Sequence, residues 1–163
     1  MTVAIDSDGR FSGYASVFGR VDGGGDMVMP GAFRDSLETR GSERVRLLFQ
    51  HDPKEPVGLW DEIVEDGFGL WVSGRLIDGV PRAASLRALI AGRAIDGLSI
   101  GFRAVRATRE GRTGTRRLWA VDLWEISIVT FPMMDAARIS AAPGGGTARL
   151  AATLGAATRL LKS

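Results

Sequence analysis

The spacing of apolar and polar positions changes several times along the chain, and each change marks an element. Residues 11–18, Phe-Ser-Gly-Tyr-Ala-Ser-Val-Phe, read as an opening strand. The run Asp22-Gly-Gly-Gly-Asp26 then predicts a loop, because three glycines carry too much backbone entropy for regular structure. Residues 30–41 predict a short helix ended by Gly41, with Phe33 and Leu37 at i, i+4 on one face. Residues 45–50 predict a strand, with Pro53 and Pro56 marking the turn after it, and residues 69–77 predict another. Pro81 suits the first turn of a second helix, whose apolar set is Leu86, Leu89 and Ile90 and whose C′ position is Gly92.

From Ile95 the pattern has period two, through Gly-Leu-Ser-Ile-Gly-Phe-Arg-Ala-Val at 97–105. A loop around Gly111 and Gly114 turns it back into residues 117–131, a return long enough to predict a kink near Asp122 and two strands. Six or seven strands with two short helices indicate an α+β domain built on a barrel or a strongly coiled sheet. The composition shifts after Ile139, which divides the chain into a domain at 1–139, a Gly-rich linker at 140–147 and a tail helix at 148–163. Leu150, Leu154 and Leu161 share one face of that helix, with Arg149, Arg159 and Lys162 at its edge. It either docks on a partner or frays as a terminus.

Composition narrows the function classes. The 163 residues suit one domain with a real core, and the 45% hydrophobic and 25% charged fractions are those of an ordinary globular protein. No apolar run approaches the roughly 18 residues of a membrane helix. The first residues have neither a basic nor an apolar leader region, so neither export nor a membrane partner is expected. The absence of cysteine excludes disulfides and, with a single histidine, argues against a structural zinc site. The Asp22–Asp26 loop lacks the spacing and further ligands that calcium needs, so no metal and no cofactor is expected. The net charge is only +2, and arginines gather between Arg103 and Arg117. That stretch is either a solvated hairpin or a surface for an acidic or nucleic-acid partner; nucleic acid is not the expected one.

Three residues carry candidate chemistry. His51 closes the apolar run Leu-Leu-Phe-Gln-His-Asp and is either a turn residue or a base. Ser99 points away from the face formed by Leu98, Ile100 and Phe102, and has Gly97 and Gly101 at i−2 and i+2. Those glycines leave no side chains beside the hydroxyl, so a substrate backbone could approach it. The bland alternative is a solvent-facing serine in a Gly-rich edge strand. Glu125 shares a face with Leu123, Ser127 and Val129, opposite Trp124, Ile126 and Ile128, in a stretch apolar enough to bury it partly. Such a carboxylate needs a partner, either one of the arginines or an imidazole N–H. A base, a nucleophile and an acid on three strand-like segments are the parts of a serine hydrolase.

These segments, in this order, closely resemble the prohead (capsid-maturation) proteases of tailed phages. The resemblance begins with Gly-Tyr-Ala-Ser-Val-Phe at 13–18 and Gly-Asp-Met-Val-Met-Pro-Gly-Ala-Phe at 25–33. It continues through Leu-Leu-Phe-Gln-His-Asp at 47–52, Pro-Val-Gly at 56–58, Gly-Leu-Trp-Val at 69–72 and Gly-Leu-Ser-Ile-Gly-Phe at 97–102. It ends with Leu-Trp-Glu-Ile-Ser-Ile-Val-Thr-Phe-Pro at 123–132 and Ala136, so it spans about residues 11–139.

The resemblance implies a fold like that of herpesvirus assembly proteases, a β-barrel of six or seven mostly antiparallel strands ringed by short helices. It implies a serine endopeptidase with His51 as base, Ser99 as nucleophile and Glu125 as third member. Herpesvirus relatives use a second histidine there, which this chain lacks. Backbone N–H groups are expected to meet the oxyanion, with 131–134 (Phe-Pro-Met-Met) as their candidate source. The implied substrate is the scaffolding segment of the major capsid protein, or a separate scaffold, and the enzyme itself. The implied place is the host cytoplasm and the interior of the assembling prohead, with self-association there. The rivals are a non-catalytic capsid assembly module, a general β-domain hydrolase, and a polynucleotide-binding domain that uses the arginine-rich hairpin.

Overall fold

Eight strands and two α-helices follow one another among the residues described by the computed structural model, 3–142 and 161. The order is β1 (Arg10–Val17), β2 (Asp26–Val28), α1 (Arg34–Arg40), β3 (Arg46–Phe49), β4 (Asp52–Glu65), β5 (Gly69–Leu76), α2 (Pro81–Ala91), β6 (Gly97–Arg109), β7 (Arg116–Val129) and β8 (Arg138–Ala141). Seven of the strands close a ring, β7-β3-β4-β5-β1-β8-β6, and β6 pairs back onto β7. Closure removes the exposed edges that an open sheet would leave. All neighbours in the ring are antiparallel except β3 and β7, so the barrel is mixed and agrees with the expected class.

β7 is the strand on which the rest is hung. Along one side it pairs with β6 throughout. Along the other it is shared, with β2 parallel to Arg116–Leu118 and β3 parallel to residues 125–128. The gap between them is filled from the α1 region. The Val121 N–H donates to the Ala32 carbonyl at 3.0 Å, and the Leu123 N–H donates to Ser36 Oγ at 2.9 Å. Both of these backbone donors are thereby satisfied where β7 has neither β2 nor β3 beside it.

The core is the inside of this ring. Phe11, Leu47, Leu70, Leu98 and Ile126 are fully buried there, each worth about 1.5–3 kcal/mol over the exposed state. α2 lays Ala83, Leu86 and Ile90 on the barrel. Leu89, expected in that set, is instead 42% exposed, because the contact stripe runs i, i+3, i+7 and leaves it on the rim. The C′ position expected at Gly92 is also corrected, since Gly92 is the C-cap. Gly92 keeps a helical φ of −80°, and the positive φ of 56° falls on Arg93.

Three further corrections concern strands. The predicted turn at Pro53 and Pro56 is the first part of β4, and the turn itself is Gln50-His51. β7 is one continuous strand, not two kinked at Asp122. It carries a bulge, since Gly101 pairs with Glu125 and Phe102 with Leu123, leaving Trp124 as the extra residue. The bulge also shifts the alternation, so Leu123 joins Ile126 and Ile128 in the core while Glu125 lies on the other face. Finally, β8 runs through Ala141, and Ala141 accepts a bond from Ser12 Oγ at 2.8 Å. The barrel thus reaches into the stretch expected to be linker, and the tail helix lies outside the described residues apart from the exposed Leu161. Among the described residues no helix is long and apolar enough to cross a membrane.

Candidate active site

Gln50 and His51 form the two-residue loop of the β3–β4 hairpin, between the paired residues Phe49 and Asp52. Both have positive φ, 54° and 59°, as a tight primed turn requires. Side chains other than glycine cost about 1–2 kcal/mol each in that region, so the turn must be held from outside. β7 and the residue after it hold it. The Gln50 N–H donates to the Ile128 carbonyl at 3.0 Å, and its side-chain amide donates to Thr130 Oγ1 at 2.6 Å. The His51 N–H donates to Ser127 Oγ at 3.0 Å.

The histidine ring is then met by Glu125. His51 Nδ1 and Glu125 Oε1 form a hydrogen bond, and the Ser127 hydroxyl donates to Glu125 Oε2 at 2.6 Å. Both carboxylate oxygens therefore have partners, and the expected alternative of an arginine is not the one used. The Glu125 side chain is 13% exposed and that of His51 42%. With Nδ1 as donor to the carboxylate, Nε2 is left as the basic nitrogen. The hydrogen bond to Glu125 raises the His51 pKa above its ordinary value, burial opposes this, and the charge of Glu125 adds to the rise.

Ser99 stands across the β6–β7 pair from Ser127, and Gly101 across from Glu125. Directly opposed residues of an antiparallel pair project from one face. Ser99, Ser127 and Glu125 therefore share a face, to which the hairpin loop brings His51. Ser99 is 8% exposed and lines a cavity of about 170 Å³ that His51 also borders. Met133 and Met134, from the segment expected to supply oxyanion donors, form part of the same wall.

The two glycines flanking Ser99 do something other than expected. A β-carbon at Gly101 would overlap the Glu125 carboxylate, and one at Gly97 would lie 2.8 Å from the Pro132 ring. The space they free is filled by the protein: Gly101 makes room for the acid, and Gly97 for the Val129 carbonyl at the end of β7 and for Pro132 after it. Ser127 is the residue that sequence reasoning passed over. It is fully buried and links the hairpin loop to the carboxylate. Its only signal was period-two alignment with Glu125 on the same strand.

The arginine-rich stretch leaves the barrel as the far end of the β6–β7 hairpin, where Val105–Arg109 are exposed. Arg116 is tied back by a two-pronged pair with Asp26, both contacts at 2.8 Å, and Arg117 pairs with Glu110.

The family model of the caudovirus prohead serine proteases matches residues 2–147. Over 135 residues the chain is 38% identical to the prohead protease of Enterobacteria phage HK97, an alignment that covers 82% of this chain. It spans about 60% of that relative's length. Among solved structures, the bacteriophage T4 capsid assembly protease superposes with a TM-score of 0.60 at 16% identity, over 74% of this chain and 80% of that one. The KSHV protease bound to a hexapeptide phosphonate inhibitor gives 0.55 at 10% identity, over 94% and 76%. At such identities these two likenesses concern the fold.

Proposed function

Because the chain belongs to the caudovirus prohead serine protease family, we propose that it is a serine endopeptidase of capsid maturation. Its substrates are the scaffolding segment of the major capsid protein and the chain itself, cut inside the assembling prohead in the host cytoplasm, where copies of the enzyme associate. The observation that carries this reading is the His51–Glu125 contact at a cavity that Ser99 also lines.

The reaction uses the three residues in separate roles. Ser99 Oγ attacks the scissile carbonyl carbon while its proton passes to His51 Nε2. The tetrahedral intermediate collapses, the C–N bond breaks, and the imidazolium returns the proton to the leaving amine. Water then adds to the acyl ester by the same base, releasing the new carboxyl end and free Ser99. Throughout, Glu125 holds the ring in one tautomer and offsets the charge of the imidazolium, and Ser127 holds Glu125. Backbone N–H groups on the Met133–Met134 side of the cavity are our candidates for meeting the oxyanion.

Mass spectrometry after co-expression with the coat protein of the same particle tests the reading. A coat protein shortened at its N-terminal scaffolding segment, together with self-truncation, is the expected result. An intact coat protein beside a Ser99 that reacts with a fluorophosphonate would move the substrate elsewhere. An unreactive Ser99 would leave an assembly module.

A narrower test concerns the space that Gly101 provides. Gly101→Ala pushes the Glu125 side chain from its Cγ to its carboxylate, with no backbone atom among the three nearest, so the barrel should persist with a nearly unchanged Tm. Displacing the acid by about an ångström should lower kcat/KM by about 10²-fold. Equal activity in the alanine variant would show that the position of Glu125 is unimportant.

A further inference from the structure

His51 reaches Glu125 from a turn that its own residues do not favour. Gln50 and His51 both have positive φ, and neither has the freedom of glycine there, so the loop relaxes when its outside restraints are lost. Two restraints are backbone N–H bonds, from Gln50 to the Ile128 carbonyl and from His51 to Ser127 Oγ. The third is the Gln50 side chain, for which the reaction itself has no use. Strain at two left-handed residues is of the same size as the net contribution of a few hydrogen bonds, so the turn holds its shape with little surplus.

The Gln50 amide grips one residue twice. Its Nε2 donates to Thr130 Oγ1 at 2.6 Å, and its Oε1 accepts the Thr130 N–H at 3.3 Å. Donor meets acceptor on both sides, which fixes the plane of the amide. Both residues are exposed, so burial does not demand the pairing. What it does is join the loop that carries the base to the stretch that follows β7. Thr130 opens that stretch, Pro132 lies against Gly97, and Met133 and Met134 wall the cavity beside Ser99.

We propose that Gln50 is a positioning residue, whose double hydrogen bond to Thr130 holds the strained turn against the end of β7 and thereby keeps His51 on Glu125 and within reach of Ser99. Without that grip the turn relaxes toward ordinary backbone angles, and the ring leaves the carboxylate for a share of the time. The same pairing ties the base to the segment that carries our candidates for the oxyanion donors. The inference rests on the protease reading of His51 and Ser99, and it adds the means by which the base is kept in place.

His51 is the only histidine of the chain, so its titration can be followed by NMR without ambiguity. Asp22 and Asp26 border the same cavity, but Glu125 is the group whose bond and charge raise the His51 pKa, against the effect of burial. Gln50→Ala keeps the strain and removes the grip. The His51 pKa should fall toward its ordinary value of about 6.5. The rate constant for modification of Ser99 by a fluorophosphonate, measured at a pH above both titrations, should fall at least about tenfold. Gln50→Gly also removes the grip but relieves the strain at position 50, so it should label at least about threefold faster than Gln50→Ala. Thr130→Val keeps the N–H and loses Oγ1, so it should lie between wild type and Gln50→Ala. Added to Gln50→Ala it should change nothing further. A Gln50→Ala protein with the wild-type pKa and labelling rate overturns the proposal, as does a glycine variant no faster than the alanine one. Should Gln50→Ala fail to fold, Thr130→Val decides alone, since wild-type values there overturn the grip. A wild-type Ser99 that does not react overturns the proposal and the protease reading together.

Discussion

Replacing Ser99 by alanine should lower cleavage by roughly 10⁴- to 10⁶-fold, the loss seen when a nucleophile is removed from a serine-type site. The fold should not follow. Ser99 sits on a strand whose backbone pairing with β7 continues on both sides, and the substitution removes one oxygen from a cavity wall. A Tm change corresponding to less than about 0.5 kcal/mol is expected. Cleavage of co-expressed coat protein, followed by mass, together with thermal melting, separates the two quantities. A Ser99→Ala protein that still cuts at the wild-type site would move the nucleophile to another hydroxyl. Ser127 is the nearest alternative in register, yet it is already committed, donating to Glu125 and accepting from the His51 N–H. Ser127→Ala should therefore resemble a loosened acid more than a lost nucleophile.

Much of this arrangement is legible in the sequence, for a simple reason. Period-two alternation places Ser99 and Glu125 on their strands without knowledge of the partners. It also marks Glu125 as a carboxylate in apolar company, which must be paired with something. What alternation cannot supply is register. The juxtaposition of Ser99 with Ser127, and of Gly101 with Glu125, comes from the pairing of β6 with β7. The glycines were accordingly misread as clearing space for a substrate backbone. They clear it for the acid and for Pro132.

Irregular strands hid the rest. β4 buries Val57, Trp60 and Ile63, a spacing of three that goes with register shifts at Val57 against β3 and between Trp60 and Glu62 against β5, and no period-two template finds it. Its early prolines read as a turn, yet the ladder between β3 and β4 is itself shifted there, so the missing N–H groups are tolerated. The true turn was invisible because Gln50-His51 contains no Gly, Asn or Asp, the usual residues of a primed turn. Its conformation is imposed by Ile128, Thr130 and Ser127, which are far away in sequence. A local pattern reveals which residues have chemistry to offer. The strained loop that delivers His51 to Glu125 is a property of the closed barrel.

Glu125→Gln should be the second most damaging change, and its pH dependence identifies the cause. Glutamine keeps the size of the side chain and can still accept from Ser127, so the barrel should fold. It can also donate to His51 Nδ1, which places the ring proton on Nε2 and leaves the base facing the wrong way. A rate loss of about 10⁴-fold is expected from that tautomer change. In the wild type the bond to Glu125 holds the His51 pKa above its ordinary value of about 6.5. The base works only when neutral, so wild-type kcat/KM should fall as pH drops through that raised value. In the glutamine variant the residual activity should have its acidic limb at lower pH. Stability moves the other way. A histidine whose pKa is raised by folding stabilises the native state fully below the unfolded value of about 6.5, and loses that contribution as pH rises through the folded one. The Tm gap between wild type and Glu125→Gln should therefore be wider at pH 6 than at pH 9. A narrower gap at pH 6, or acidic limbs that coincide, would mean that the carboxylate does not act through the imidazole.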